Sequence, residues 1–177
     1  MEHWYLVHTK PSRERHAAVQ LHQRGFAVYF PLIWVSPVNP RTRREQPFFP
    51  RHLFAKVDLK AVGVDVIRWL PGVRGLVEFY GEPASVSDAF VAALQQCLTR
   101  ARAVGGLGLD SARYSAFLQE NKGPFEGYEG MLNGRLPGAD RAQILLACVQ
   151  QEFWRQTMQT RSGARRPEDS SAAGPSR

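Results

Sequence analysis

The chain has 177 residues, 44% of them hydrophobic, enough to bury a core in one medium domain or two small ones. Its formal charge is +7 and its pI about 9.9, so an anionic partner is expected, nucleic acid first and an acidic protein surface second. Cys97 and Cys148 show neither disulfide nor metal-ligand spacing and no apolar run could span a bilayer, so a reducing, cytoplasmic setting without membrane or metal is expected.

His3 to Thr9 is aromatic and β-branched and reads as a strand. Pro11 and Ser12 open a helix through Arg24, with Ala17, Ala18 and Leu21 on one face and Gly25 as its stop. Phe26 to Phe30 reads as a second strand, extending weakly toward Val35, and a Pro- and Arg-rich loop separates it from a third over Arg51 to Asp58. Val64, Ile67 and Leu70 form a short helical face that ends at Pro71-Gly72, and Gly75 to Tyr80 reads as a fourth strand. Ser87-Asp88 caps a helix that buries Val91, Leu94, Leu98 and Ala101. The order βαββαβα predicts an α+β unit over residues 1–103, an antiparallel sheet with flanking helices of the split βαβ kind.

Gly105-Gly106-Leu107-Gly108 marks a linker over 104–110, because three glycines in four residues cannot hold a helix. A second small unit follows over 111–160. At its centre stands Gly123-Pro124-Phe125-Glu126-Gly127-Tyr128-Glu129-Gly130, a tight reversal that presents Phe125 and Tyr128 and suits a small β-barrel used for recognition. Its flanks read both ways: Leu145, Cys148, Val149 and Phe153 fall at helical spacing, while Ile144-Leu145-Leu146 also offers a strand. The tail, 161–177, has no large apolar residue and is expected to be disordered.

Phe48-Phe49-Pro50-Arg51-His52-Leu53-Phe54 enters its strand through a proline, which predicts one ring inward and one outward as a docking anchor. The plainer alternative is a strand covered on both faces. Arg41, Arg43 and Arg44 crowd one loop, with Lys10 and Arg13 beside the first helix, a pattern suited to phosphate backbones rather than base edges. The five histidines show no metal spacing, and no phosphate-cradling glycine loop opens a helix, so neither an enzyme nor a cofactor is expected.

In order and spacing these pieces resemble the NusG family of transcription elongation factors, nearest in character to RfaH-like specialised members. Trp4-Tyr5-Leu6-Val7 with Thr9-Lys10-Pro11 resembles the opening strand, Phe49-Pro50-Arg51-His52-Leu53-Phe54 and Pro71-Gly72-Val73 the central signatures, and the 123–130 loop the KOW motif. The resemblance implies an N-terminal domain docked on the clamp helices of the largest RNA polymerase subunit, through Phe49, Pro50, His52, Leu53, Val91 and Leu94. It implies that Lys10, Arg13, Arg41, Arg43 and Arg44 face upstream or non-template DNA. Gly123, Pro124, Phe125, Gly127, Tyr128 and Gly130 would form a KOW loop that recruits a ribosomal protein or termination factor to a monomeric chain. Two positions depart from RfaH-like members: Val62-Gly63-Val64-Asp65 stands where they carry a His-Thr-Thr contact, and Pro71 where they carry a DNA-reading arginine. The helix-or-strand ambiguity of the second unit fits either a divergent barrel or a helical hairpin that masks Phe49 and Leu94 before refolding. A general housekeeping factor and a KOW-bearing ribosome-associated RNA-binding protein are the alternative readings.

Overall fold

Strand β1 (His3–Thr9) sets the frame, because its alternating side chains are needed on both sides. Leu6 and Val7 are adjacent, point to opposite faces, and are both fully buried. The computed structural model describes residues 1–34, 45–103 and 136–162. Within them, α1 (Glu14–Gln23) follows β1, and β2 (Ala27–Tyr29), β3 (Leu32–Trp34) and β4 (Glu45–Pro47) precede β5 (His52–Val57). Two short helices, α2 (Leu59–Val62) and α3 (Val64–Arg68), lead to β6 (Val73–Leu76). Three two-residue strands, β7 (Glu78–Phe79), β8 (Glu82–Pro83) and β9 (Ser85–Val86), then bring the chain to α4 (Asp88–Ala103). The last described element is α5 (Gly138–Ser162).

The main sheet runs β2-β5-β1-β6, all antiparallel, with β9 pairing the first half of β1 on the side that β6 takes along the second half. This is the expected antiparallel sheet with flanking helices. The strand expected over Gly75 to Tyr80 is instead divided between β6 and the β7–β8 hairpin, whose turn holds Tyr80 at φ 55° and Gly81 at φ 81°. Helix α2 was not expected from the sequence; at its start Asp58 accepts the Lys60 N–H at 3.1 Å. Ser87 caps α4 as expected, its hydroxyl accepting the Phe90 N–H at 3.2 Å.

One face of the sheet buries Val7, Leu53, Ala55 and Val57 under Ala17 and Leu21 of α1, with Ile67, Leu70 and Val73. The other buries Leu6 and Phe54 under Phe90, Val91, Leu94 and Leu98 of α4, and here Leu145, Cys148 and Val149 of α5 complete the cluster. The Pro71-Gly72 turn locks the first face to α1. Gly72 has φ 87°, its carbonyl accepts the Lys10 N–H at 2.9 Å, and a Cβ there would lie 3.3 Å from the Arg13 carbonyl.

The described part of the second unit is one helix, so the Ile144-Leu145-Leu146 stretch takes the helical alternative. The helix runs through Arg161 and Ser162, two residues into the stretch expected to be disordered. The 104–110 linker, the 123–130 loop with Gly123, Pro124, Phe125, Gly127, Tyr128 and Gly130, and Arg41, Arg43 and Arg44 lie outside the described residues.

Candidate functional site

Phe48 and Phe49 sit in the bend between β4 and β5, where the backbone turns away from strand geometry and alternation no longer governs direction. The outward ring expected from the sequence is not found. Both phenylalanines are fully buried and meet edge to face at 4.7 Å. Phe49 joins Val91 and Leu94 in the cluster that α5 covers, and Pro50 and His52 border it. Leu53 does not belong with them, because it faces the α1 side of the sheet.

Helix α5 is held along its length by polar contacts as well as by packing. At its start, the buried Arg141 donates from Nε to the Phe48 carbonyl at 2.8 Å and from a terminal nitrogen to the Leu136 carbonyl. Its guanidinium also lies over the Phe48 ring, 4.9 Å from the centroid. Burial pulls the Arg141 pKa below the usual arginine value. Gly138 packs on Pro50 so closely that a Cβ would lie 2.6 Å from the proline Cγ. About one turn beyond Val149, the buried Glu152 accepts from the Ser87 hydroxyl at 2.8 Å and pairs with Arg155 at 3.1 Å. Ser85 donates to Gln156 at 3.2 Å, and Phe153 packs against Phe79 with centroids 5.9 Å apart.

Sequence reasoning missed Arg141 and Glu152, and named Phe48 only as part of the 48–54 run. The first two carried a legible signal, since both occupy the apolar stripe of α5 at positions in phase with Leu145, Cys148 and Val149. A charged residue on such a stripe asks for a buried partner.

Beneath Pro50 lies a cross-strand histidine pair. His8 and His52 face each other in register and stack at 5.1 Å with their planes 5° apart. Nδ1 of His52 is 2.9 Å from the Pro50 carbonyl, which makes that nitrogen the protonated one. Burial, with His52, Arg51 and Arg74 nearby, lowers the His8 pKa to about 4. Burial also lowers that of His52. Arg51, at φ 65°, is fixed by its N–H donating to the buried Glu14 carboxylate at 3.0 Å.

Of the predicted basic residues, Lys10 and Arg13 are exposed beside the Pro71-Gly72 turn and make no ion pair among the described residues. Among the described residues, no group of three or more His, Cys, Asp or Glu could hold a metal, and no helix is long and apolar enough to cross a membrane. Burial pushes the Cys148 thiol up to about 12, which makes it inert rather than nucleophilic.

Comparison with curated protein sequences gives no match. A solved structure of NusG from Thermotoga maritima, concerned with domain interaction in that protein, is 22% identical with a TM-score of 0.34; it covers 50% of this chain and 52% of that one. The chain thus spans about half the length of that structure. The family model described as transcription termination factor nusG matches residues 2–95, just over half of the 177 and the whole of the sheet with the first half of α4. On that match, the chain belongs to the NusG family.

Proposed function

We propose that the chain is a non-catalytic transcription elongation and antitermination factor acting on selected operons, and that it docks on the clamp helices of RNA polymerase through the surface around Phe49, Val91 and Leu94. One observation carries this reading. Among the described residues outside the family-matched region, α5 is the element that covers this surface, and it begins at Gly138, well past the end of the match at residue 95. A helix held by a few polar contacts over an apolar strip is a removable cover, and removal would present Phe49 and Leu94 to a partner helix. His52 and Pro50 would form the rim. Lys10 and Arg13, with Arg41, Arg43 and Arg44, would meet upstream or non-template DNA. The 123–130 loop would recruit a ribosomal protein or termination factor.

Retention of the chain on immobilised RNA polymerase tests this. Arg141→Ala, which loosens the cover, should raise retention and shorten transcriptional pauses, and Phe49→Asp should abolish retention. Unchanged retention in both variants, each shown to be folded by circular dichroism, removes the docking surface from consideration.

A further inference from the structure

The β7–β8 hairpin closes on a two-residue turn, Tyr80-Gly81, next to the Phe79–Glu82 pair. Both turn residues are left-handed, at φ 55° and 81°. A tight hairpin turn of this hand favours Asn-Gly, because asparagine and glycine enter the left-handed region far more readily than a bulky side chain. Gly81 fits that preference and Tyr80 does not. The turn therefore carries a local strain that asparagine would relieve.

Packing within the domain does not account for the tyrosine. It is 78% exposed and belongs to neither apolar cluster. Among the described residues its ring meets one aromatic side chain, Trp154 of α5, edge to face at 5.1 Å with the planes 62° apart. The preceding positions pair in the same way, Phe79 meeting Phe153 at 5.9 Å. Adjacent residues of the hairpin thus grip adjacent residues of α5, one pair largely buried and the other facing solvent. The hairpin lies inside the family-matched region and Trp154 lies outside it.

We infer that Tyr80 is a positioning residue for α5: its strained turn aims the ring at Trp154, latches the second half of the helix and so sets how readily the strip at Phe49 and Leu94 is uncovered. Gly138 and Arg141 fasten the start of the helix, and Trp154 lies about four turns further on. There the ring pair adds to the hydrogen bonds that Ser85 and Ser87 make to Gln156 and Glu152. When α5 leaves, the tyrosine keeps its strain and loses its partner. The latch presupposes the removable cover proposed above.

Amide hydrogen exchange of the full chain tests the latch at two places at once. Tyr80→Asn suits the turn and deletes the ring, so exchange over residues 149–158 should quicken about five-fold while the 78–84 hairpin keeps or gains protection. Tyr80→Phe keeps the ring and should match the wild type over 149–158. Trp154→Ala should reproduce the faster exchange, and the double variant should add little to either single change. Unchanged exchange over 149–158 in Tyr80→Asn overturns the latch, as do fully additive losses in the double variant. Lost protection in the hairpin overturns it too and leaves Tyr80 a turn residue only. No polymerase enters this measurement. Unaltered exchange with retention still raised by Arg141→Ala removes the latch alone; the expected exchange with retention unmoved by Arg141→Ala and Phe49→Asp supports the latch and removes the docking surface alone.

Discussion

Gly138 and Pro50 meet where α5 begins, and the contact leaves no room for a side chain: a Cβ on residue 138 would lie 2.6 Å from Cγ and 3.1 Å from Cδ of the proline ring. A proline ring cannot swing aside as a long side chain can. Gly138→Ala is therefore expected to lift the first turn of α5, despite the better helix propensity of alanine. Faster amide hydrogen exchange over residues 138–145, with β1 and β5 unchanged, is the expected readout; equal protection in both proteins contradicts it.

Arg141 is the second fastening at that end. Removing it by Arg141→Ala leaves the Phe48 carbonyl without its charged donor and strips the cation from the Phe48 ring. Helix docking should weaken by roughly 1.5–3 kcal/mol. Arg141→Lys should recover little, because a point charge cannot serve two carbonyls and lie flat on a ring. Chemical denaturation followed at α5 checks both variants.

Cys148 reports on the same equilibrium. Its thiol is buried and held at about 12, so a maleimide should label it only when α5 leaves. In a Cys97→Ser background, Leu145→Ala should cost about 2–5 kcal/mol and raise the labelling rate at least ten-fold. Leu53→Ala, on the α1 side of the sheet, should instead lower the stability of the whole domain. Rapid labelling of Cys148 in the Cys97→Ser chain that keeps Leu145 would contradict a seated α5.

Acid should destabilise the fold through the stacked histidines. Folded His8 stays neutral down to about pH 4, whereas in the unfolded chain it takes up a proton below 6.5. His52 is shifted in the same direction. Stability from this pair is full above about pH 6.5 and is lost as pH falls toward 4. The expected result is a Tm that declines across that window, and a shallower decline in His8→Gln. An unchanged slope in the variant would assign the acid sensitivity elsewhere.

Much of the family-matched region was legible because its signals are local. The β-branched and aromatic run of His3–Thr9, the Ser87 cap and the Pro71-Gly72 stop each name an element with little help from tertiary structure. The direction of Phe48 and Phe49 was not legible. Alternation holds only inside a strand, and these two residues lie in a bend whose outer side is closed by a helix about a hundred positions away. The splitting of Gly75–Tyr80 escaped for a related reason, since the turn depends on Tyr80 accepting a positive φ that tyrosine rarely adopts. In α5 the two readings of Ile144-Leu145-Leu146 were evenly matched locally, and packing on Phe49 and Leu94 gives the helix its reason to form.

The two apolar clusters lie on opposite sides of one sheet, and only one of them includes α5. A departure of α5 would leave the α1 side intact, so the domain would stay folded while carrying an uncovered oily stripe. Such a species survives in a crowded cell only while something else occupies the stripe. The helix would thus act as a built-in storage cap, ending solitary life and committed engagement in the same step.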